Sequence, residues 1–410
     1  MISPKDRETI RALAGRAAEI AALPVQAEKK RLWTRLNGLK PERPMAAIDQ
    51  VCWSEMNTDG ELTLCCEDAE CREYEWRLRT TLYQWRHFPA DMVVEPFVRV
   101  HKAIKGLGFG MDVQKDILRT SENSEVVSQR YINQFETVED VGKVKFPEVT
   151  HDAAETARRM EVADHLFRGT LEPREEGLDP YLSLWDPISQ WMGVENALYA
   201  LMDKPEMMRA LVKRLADCYM SLLDQAEEQG LLCGTQSTIH CTGAYTDELP
   251  APGYDPAKPR TKDLWMFGLA QMFSTVSPAM FDEYEIAPNM PIFGRFGLVY
   301  YGCCDPLDGK MDEVKKIPHV RKISMSPWAN QRRGAERIGK NYVFSRKPNP
   351  ALVAGHGFDA EQIRADLLET VNICREYGCP LELILKDIST VNNRPERLEI
   401  WNKTAMEVIR

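Results

Sequence analysis

The sequence lacks the features that mark several protein classes. It has no run of 18 apolar residues, which argues against a transmembrane helix, and its first twenty residues are too charged for a signal peptide. Basic residues are outnumbered by acidic ones, 52 against 62, so a broad nucleic-acid or anionic-membrane surface is not expected. From these absences we predict a cytoplasmic globular protein that binds neither nucleic acid nor membrane.

Common catalytic motifs are absent as well. The chain contains no GxSxG elbow, no Walker sequence, no kinase motif set and no glycine-rich dinucleotide fingerprint. Its eleven cysteines are odd in number and spread along the chain, without CxxC or HExxH spacing. This pattern favours free thiols or metal ligands over a disulfide framework.

What the chain does contain is an alternation of apolar runs and amphipathic helices. Helical periodicity is clear before Gly230 and again before Gly378, and each glycine is a helix stop. Apolar runs that predict strands lie at 92–98, 265–270, 298–302, 321–326, 341–345 and 381–385. Strands that alternate with helices form parallel sheets. Because the dinucleotide fingerprint is missing, we predict an α/β protein of the (β/α)₈ TIM barrel class.

The first ninety residues have a different character. They are charged, helix-prone and rich in tryptophan and tyrosine. We therefore predict an N-terminal helical layer over residues 1–90 that packs on a barrel over residues 91–410.

Polar residues end or follow several of the apolar runs, where a barrel places its chemistry. Cys303 follows LVYYG, His240 lies in a strand-end-like stretch, and Lys386-Asp387 follows LELIL directly. Cysteine and histidine are frequent metal ligands. Each of these residues also has a structural interpretation, as a buried thiol, a loop histidine or a salt-bridged rim residue.

Three further groups are candidates for substrate binding or catalysis. Glu95 lies in the run 92–98, and Lys347 stands beside Arg346 in a cationic stretch that could hold an anionic group or be solvated. Trp53 belongs to a set of tryptophans that could line an apolar pocket, although such residues more often form core.

The stretch QMFSTVSPAMFDEYEIAP (271–288), followed by LVYYGCCDPLDG, resembles the uroporphyrinogen decarboxylase superfamily. Segments 138–149 and 184–208 fit the same order, so the resemblance extends over about residues 90–410. It implies a (β/α)₈ barrel and two functional branches. The arginine-rich N-terminal motif of the tetrapyrrole decarboxylases has no counterpart here, which favours the corrinoid-dependent methyltransferase branch.

That branch implies zinc held by a His-x-Cys strand end and a cysteine on the last strand. Tyr301 stands at the position of that histidine, Cys303 matches the first cysteine, and Lys386-Asp387 stands in place of the second. The resemblance thus implies Cys303 as a zinc ligand and a corrinoid carried by a partner protein. For the unmatched ligands His240, Asp387 or a glutamate such as Glu95 are replacements, and the predicted set is His240, Cys303 and Asp387. Further site predictions are the catalytic residues Glu95, Lys386 and Tyr301 and the substrate-binding residues Trp53, Gln271 and Lys347.

The predicted activity is metal-assisted transfer of a methyl group from a small methylated substrate, such as an aryl methyl ether, to a cobalamin-binding corrinoid protein. Breaking an O-methyl bond requires a Lewis acid or a proton donor at the leaving atom. The alternatives are a uroporphyrinogen decarboxylase-like lyase acting on a carboxylated substrate and a barrel that binds without turnover. A homodimer is left open.

Overall fold

A computed structural model describes residues 2–119, 127–234 and 236–410. Within these ranges, no helix is long and apolar enough to cross a membrane. The α-helices are α1 Pro4–Ala21, α2 Pro24–Asn37, α3 Ala69–His87, α4 Ala153–Phe167, α5 Trp185–Met192, α6 Val194–Asp203, α7 Pro205–Glu228, α8 Pro278–Phe281, α9 Ala287–Phe293, α10 Met311–Val314, α11 Gln331–Ile338, α12 Ala351–Ala354, α13 Ala360–Tyr377 and α14 Glu396–Val408. Shorter 3₁₀ and π turns lie at Trp53–Glu55, Val138–Lys143, Thr261–Asp263, Asp282–Ile286 and Gly339–Asn341.

The strands form one large sheet and several small ones. In chain order they are β1 Met45–Ile48, β2 Phe97–His101, β3 Ile104–Lys105, β4 Lys115–Arg119, β5 Val127–Tyr131, β6 Thr150–His151, β7 Glu172–Glu176, β8 Tyr181–Leu182, β9 Thr238–Ile239, β10 Thr242–Gly243, β11 Trp265–Gly268, β12 Leu298–Tyr301, β13 Val320–Met325, β14 Val343–Arg346 and β15 Leu381–Leu385. Seven of them form a parallel sheet in the order β1-β15-β14-β13-β12-β11-β8.

The parallel sheet and its surrounding helices confirm the predicted α/β class. Strands β11, β12, β14 and β15 are buried along their whole length, as expected when both faces of a parallel sheet are covered. A pairing between β1 and β8 would close the sheet into a barrel, and it is not among the strand pairings of the described residues.

The segment 1–90 is not helical throughout, because β1 lies within it. This strand pairs in parallel with β15, from Met45 opposite Glu382 to Ile48 opposite Leu385. The N-terminal segment therefore contributes an edge of the central sheet as well as helices. The division into domains at residue 90 stays a prediction.

The strand predicted at 92–98 is displaced toward the C-terminus, to β2. The backbone before Pro96 bonds to α2 instead of to a neighbouring strand: Lys29 donates to the carbonyl of Met92, and the N–H of Val94 donates to Gln26 Oε1. These side chains satisfy the backbone groups that a strand would offer to its partner.

One face of the sheet is covered by α2 and the segment 239–245. Trp33 of α2 packs closely against Gly243, where a Cβ atom would lie 2.6 Å from the indole ring. Asn37 donates to the carbonyl oxygens of Gly243 and Tyr245. These contacts fix the segment that carries His240 over the ends of the strands.

Candidate functional site

The candidate site lies where β12 and β15 end and where the chain leaves β9. His240 directly follows β9, Cys303 and Cys304 come just after β12, and Lys386 and Asp387 directly follow β15. Parallel strands present their carboxyl ends at one edge of a sheet, which brings the residues after β12 and β15 together. His240 joins them from the separate antiparallel pair of β9 and β10.

Lys386 lies at the centre of the group. Its ammonium donates to Cys303 Sγ at 3.0 Å and to His240 Nε2 at 3.0 Å, and Asp387 Oδ2 lies 3.6 Å away. The residue is 2% exposed. A buried lysine requires partners that accept its hydrogen bonds and balance its charge, and Cys303 and His240 are the nearest.

The backbone that presents Cys303 depends on the preceding glycine. Gly302 has φ +93°, and a Cβ atom there would lie 2.4 Å from Leu307 Cδ1, so a larger residue would be both strained and obstructed. The carbonyl of Cys303 accepts a hydrogen bond from Ser324 Oγ at 2.9 Å. The thiol is therefore held on a fixed turn, with its residue 4% exposed.

His240 and Asp387 both have left-handed backbone conformations, with φ +53° and +57°. Such conformations cost free energy for residues other than glycine and tend to occur at functional sites. The His240 ring is further fixed by stacking on Phe267, with centroids 4.0 Å apart and planes 5° from parallel.

The surroundings of Cys303 favour its thiolate. The hydrogen bond from Cys304, whose Sγ lies 3.4 Å away, lowers the pKa of Cys303 most, and Lys386 lowers it further against the opposing effect of burial. The pKa of Cys304 is correspondingly raised by its bond to Cys303 and by burial. Burial is the largest influence on the pKa of Lys386 and lowers it, but Cys303, Cys241 and Asp387 together outweigh burial, and the pKa is raised. The arrangement is that of a thiolate–ammonium pair.

His240 also forms part of the wall of a cavity of about 270 Å³, which Cys303, Lys386 and Asp387 do not line. Asp49, directly after β1, also lines it, and burial raises the pKa of this carboxyl. Asp49 was not predicted, although it follows the apolar run MAAI as the other candidates follow theirs. The cavity is large enough for a small organic substrate.

Other predicted residues make their contacts elsewhere. Tyr301 is fully buried and donates to Glu285 Oε1 at 2.9 Å, because successive strand residues face opposite sides and Cys303 lies past a turn. Glu95 accepts from Tyr245 at 2.6 Å and pairs with Lys30 at 2.5 Å.

The three residues predicted to bind substrate are also dispersed. Lys347 is buried and donates to the Tyr300 hydroxyl and to Ser345 Oγ. Trp53 packs edge-on against Trp76 in an aromatic group, and Gln271 is exposed in the loop after β11. Their predicted roles therefore stay predictions.

The zinc site suggested by the resemblance can be tested on donor geometry. His240 Nε2 lies 3.9 Å from Cys303 Sγ, and Cys304 Sγ lies 3.8 Å from Asp387 Oδ2. Yet no three of these donors lie within 4.8 Å of one another, and the Lys386 ammonium fills the space between two of them. Four-coordinate zinc needs its ligands converged at 2.0–2.3 Å, so this arrangement does not fit zinc.

A group that could hold a metal ion lies apart from this site. Among the described residues, Asp59, Glu61 and His87 bring one ligand atom each within 4.8 Å of the others. His87 Nε2 lies 3.2 Å from Glu61 Oε1, and Arg86 donates to the same oxygen at 2.8 Å. Because Arg86 and His87 already serve that carboxylate, the group is satisfied as it stands.

No protein-family model and no curated protein matches this sequence. Solved structures do match, among them a methyltransferase from Methanosarcina mazei that is 11% identical. The alignment covers 92% of this chain and 97% of that chain, with a TM-score of 0.50. At this identity the similarity concerns the fold, and it extends over nearly the whole of both chains.

Proposed function

We propose that the protein is a methyltransferase whose reaction takes place at His240, Cys303, Lys386 and Asp387. The observation that carries the proposal is the contact of Lys386 Nζ with Cys303 Sγ and His240 Nε2, each at 3.0 Å. These residues come from three separate parts of the chain, and nothing in the sheet requires such a buried polar group. The similarity in fold to a methyltransferase supports the same activity.

The residues suit the cleavage of a bond between a methyl group and oxygen or nitrogen. The leaving atom acquires negative charge as the bond breaks and is stabilised by a nearby proton donor. Lys386 carries such a proton, and His240, which accepts a hydrogen bond from it, holds the ammonium in place. The cavity beside His240 would hold the small methylated substrate, with Asp49 as a polar group on its wall.

The acceptor that we propose is a corrinoid carried by a partner protein. A corrinoid supplies a strong nucleophile for a methyl carbon, but it must approach from outside the fold. The side chain of Asp387 is 48% exposed, so the group is open on one side. Trp328, three residues after β13, is 73% exposed at the same edge of the sheet and offers an aromatic contact for the partner.

The predicted assistance by a metal ion is tested separately from the roles of these residues. Because the donors do not converge, the roles assigned here to Lys386, His240 and Asp49 require no zinc. Metal analysis of the purified protein decides whether zinc is bound nonetheless.

The test is methyl transfer from a panel of methyl ethers and methylamines to a reduced corrinoid, followed by absorbance. We expect activity in the wild type, and a loss of a hundredfold or more in Lys386→Met, since removal of a proton donor costs about 10²–10⁴ in rate. Cys65→Ala is the matched control for Cys303→Ala, because Cys65 is an exposed thiol remote in sequence from the site. Full activity in both Lys386→Met and Cys303→Ala would refute the site.

The carboxy-lyase alternative assigns the substrate carboxylates to Arg346, Lys347 and Lys386, and the first two of these cations already have partners. Its substrate carboxylates would need free cations, but Arg346 donates to the carbonyl of Ser326 and lies 3.9 Å from Asp366, while Lys347 is hydrogen-bonded to Tyr300 and Ser345. Both cations are also buried, at about 3% exposure.

A further inference from the structure

The position of Lys386 bears on the role of Cys303. In a metal site the cation between a thiolate and an imidazole would be the metal ion. Here the cation at that place is an ammonium on the chain itself, 3.0 Å from both Sγ and Nε2. The sulfur is thus charge-balanced without a metal.

The second contact of Cys303 Sγ is also a hydrogen bond and not a bond to a metal. Cys304 Sγ, at 3.4 Å, serves as a thiol hydrogen-bond donor to the neighbouring sulfur. A thiolate bound to a metal shares its electron pairs with that metal, whereas one that receives only hydrogen bonds retains them for attack on carbon. Thiolates held beside lysine or histidine are the reactive cysteines of enzymes.

We propose that Cys303 is a metal-independent nucleophile, paired with Lys386, that itself accepts the methyl group and passes it on. This rests on the proposed methyltransferase function for the natural donor, but the reactivity of the sulfur does not depend on it.

The first step balances within the site. Cys303 Sγ attacks the methyl carbon, an S–C bond forms, and the bond from carbon to the leaving atom breaks with its electron pair on that atom. The sulfur becomes a neutral thioether and no longer balances the buried ammonium. Lys386 therefore gives its proton to the leaving atom, and the buried group remains neutral overall.

The second step restores the site. The nucleophile of the acceptor attacks the methyl carbon, the S–C electron pair returns to sulfur, and Lys386 takes up a proton from water. The thiolate that leaves in this step is stabilised by the ammonium re-formed 3.0 Å away.

Iodomethane is the probe for this inference, because it transfers a methyl group to a thiolate with iodide as the leaving group and needs no natural donor. The reduced full-length protein is treated with it, and peptide mapping by mass spectrometry follows methylation at each cysteine. We expect Cys303 to be methylated about tenfold or more faster than the exposed Cys65, although Cys303 is buried.

Two variants isolate the part played by the ammonium. Lys386→Met should slow methylation of Cys303 about tenfold or more, and Lys386→Arg should retain most of the rate because it keeps a cation. Lys340→Met, an exposed lysine before β14 and so at the opposite edge of the sheet, is the matched control and should change nothing. If Lys386→Met does not fold, the wild-type comparison of Cys303 with Cys65 and the Lys386→Arg rate still decide the matter.

Metal content supplies an independent readout. Stoichiometric zinc in the wild type that is lost in Cys303→Ala would overturn the inference, and so would methylation of Cys303 no faster than that of Cys65. Selective methylation of Cys303 together with failure of every donor in the corrinoid assay would uphold the nucleophile while refuting the proposed function. The two failures are therefore distinguishable.

Discussion

The buried ion pair between Lys322 of β13 and Glu382 of β15 gives a strong prediction about stability. Lys322 Nζ lies 2.7 Å from Glu382 Oε2, and both side chains are fully buried. The same ammonium donates to Thr242 Oγ1 and to the carbonyl of Gly243, each at 3.1 Å. It thereby joins two strands of the sheet to the segment that carries the site histidine.

Replacing this lysine by methionine keeps most of its volume and removes the charge. Glu382 would remain buried with hydrogen bonds from Thr242 and Ser345 and with the more distant charge of Lys347, but without the ammonium that lies 2.7 Å away. Breaking a buried pair on one side costs about 3–5 kcal/mol, because the remaining charge is uncompensated. We expect Lys322→Met to lower the free energy of unfolding by that amount, a large part of the 5–15 kcal/mol typical of a folded protein.

Urea unfolding followed by tryptophan fluorescence measures the effect. The double variant Lys322→Met with Glu382→Leu should recover most of the loss, since replacing both members of a buried pair is often neutral. Lys213→Met is the matched control, because the ion pair of Lys213 with Asp217 is exposed and should leave the unfolding midpoint unchanged. A loss below about 1 kcal/mol in the single variant would refute the reasoning.

Four more predictions concern other parts of the fold. Burial raises the pKa of Glu285 from 4.5 to about 8, so the folded protein retains a proton that the unfolded chain releases, and stability should fall as the pH rises through about 4.5 to 8. Denaturant titrations at several pH values should show that the free energy of unfolding falls less with pH in Glu285→Gln. Tyr301→Phe removes the hydrogen bond to Glu285 and should lower the free energy of unfolding by about 1–3 kcal/mol while leaving methyl transfer intact. A loss of activity without a loss of stability would instead support a catalytic role for Tyr301. Gly177→Ala would place a Cβ atom 2.1 Å from a backbone carbonyl oxygen and should lower the melting temperature. Gly15 lies in the middle of α1 and a Cβ atom there would meet nothing within 4 Å, so Gly15→Ala should raise the melting temperature slightly. Equal melting temperatures of the two variants would contradict this reasoning. Glu95→Gln should leave the kcat of methyl transfer within a fewfold of the wild type, because its carboxylate is engaged with a tyrosine and a lysine, and a large loss of kcat would restore it as a catalytic residue.

The fold class could be predicted because the central strands are buried on both faces. Such strands appear in the sequence as continuous apolar runs, and the run at 381–385 coincides with β15. The helix before it also had clear signals, since Asp359 caps α13 and Gly378 ends it in the left-handed conformation. Strand β1 could not be predicted so easily: MAAI is short, half alanine, and set among helix-prone residues.

The candidate site was predictable only in part. Polar residues at the ends of apolar runs pointed to His240, Cys303, Lys386 and Asp387, which the structure brings together. The sequence could not predict that Lys386 lies between Cys303 and His240, because that position depends on distances between strands. Asp49 was not predicted because β1, the strand that it follows, was not predicted either.

The pairing of β1 with β15 has a consequence for synthesis of the protein. About 330 residues separate these neighbours, so β15 is synthesised long after β1. The N-terminal strand must therefore wait, unpaired on that side, while most of the chain is made. A nascent chain arrested before β15 would lack both the strand that joins β1 to the rest of the sheet and the lysine that completes the reactive centre, so the centre cannot assemble before β15 is made.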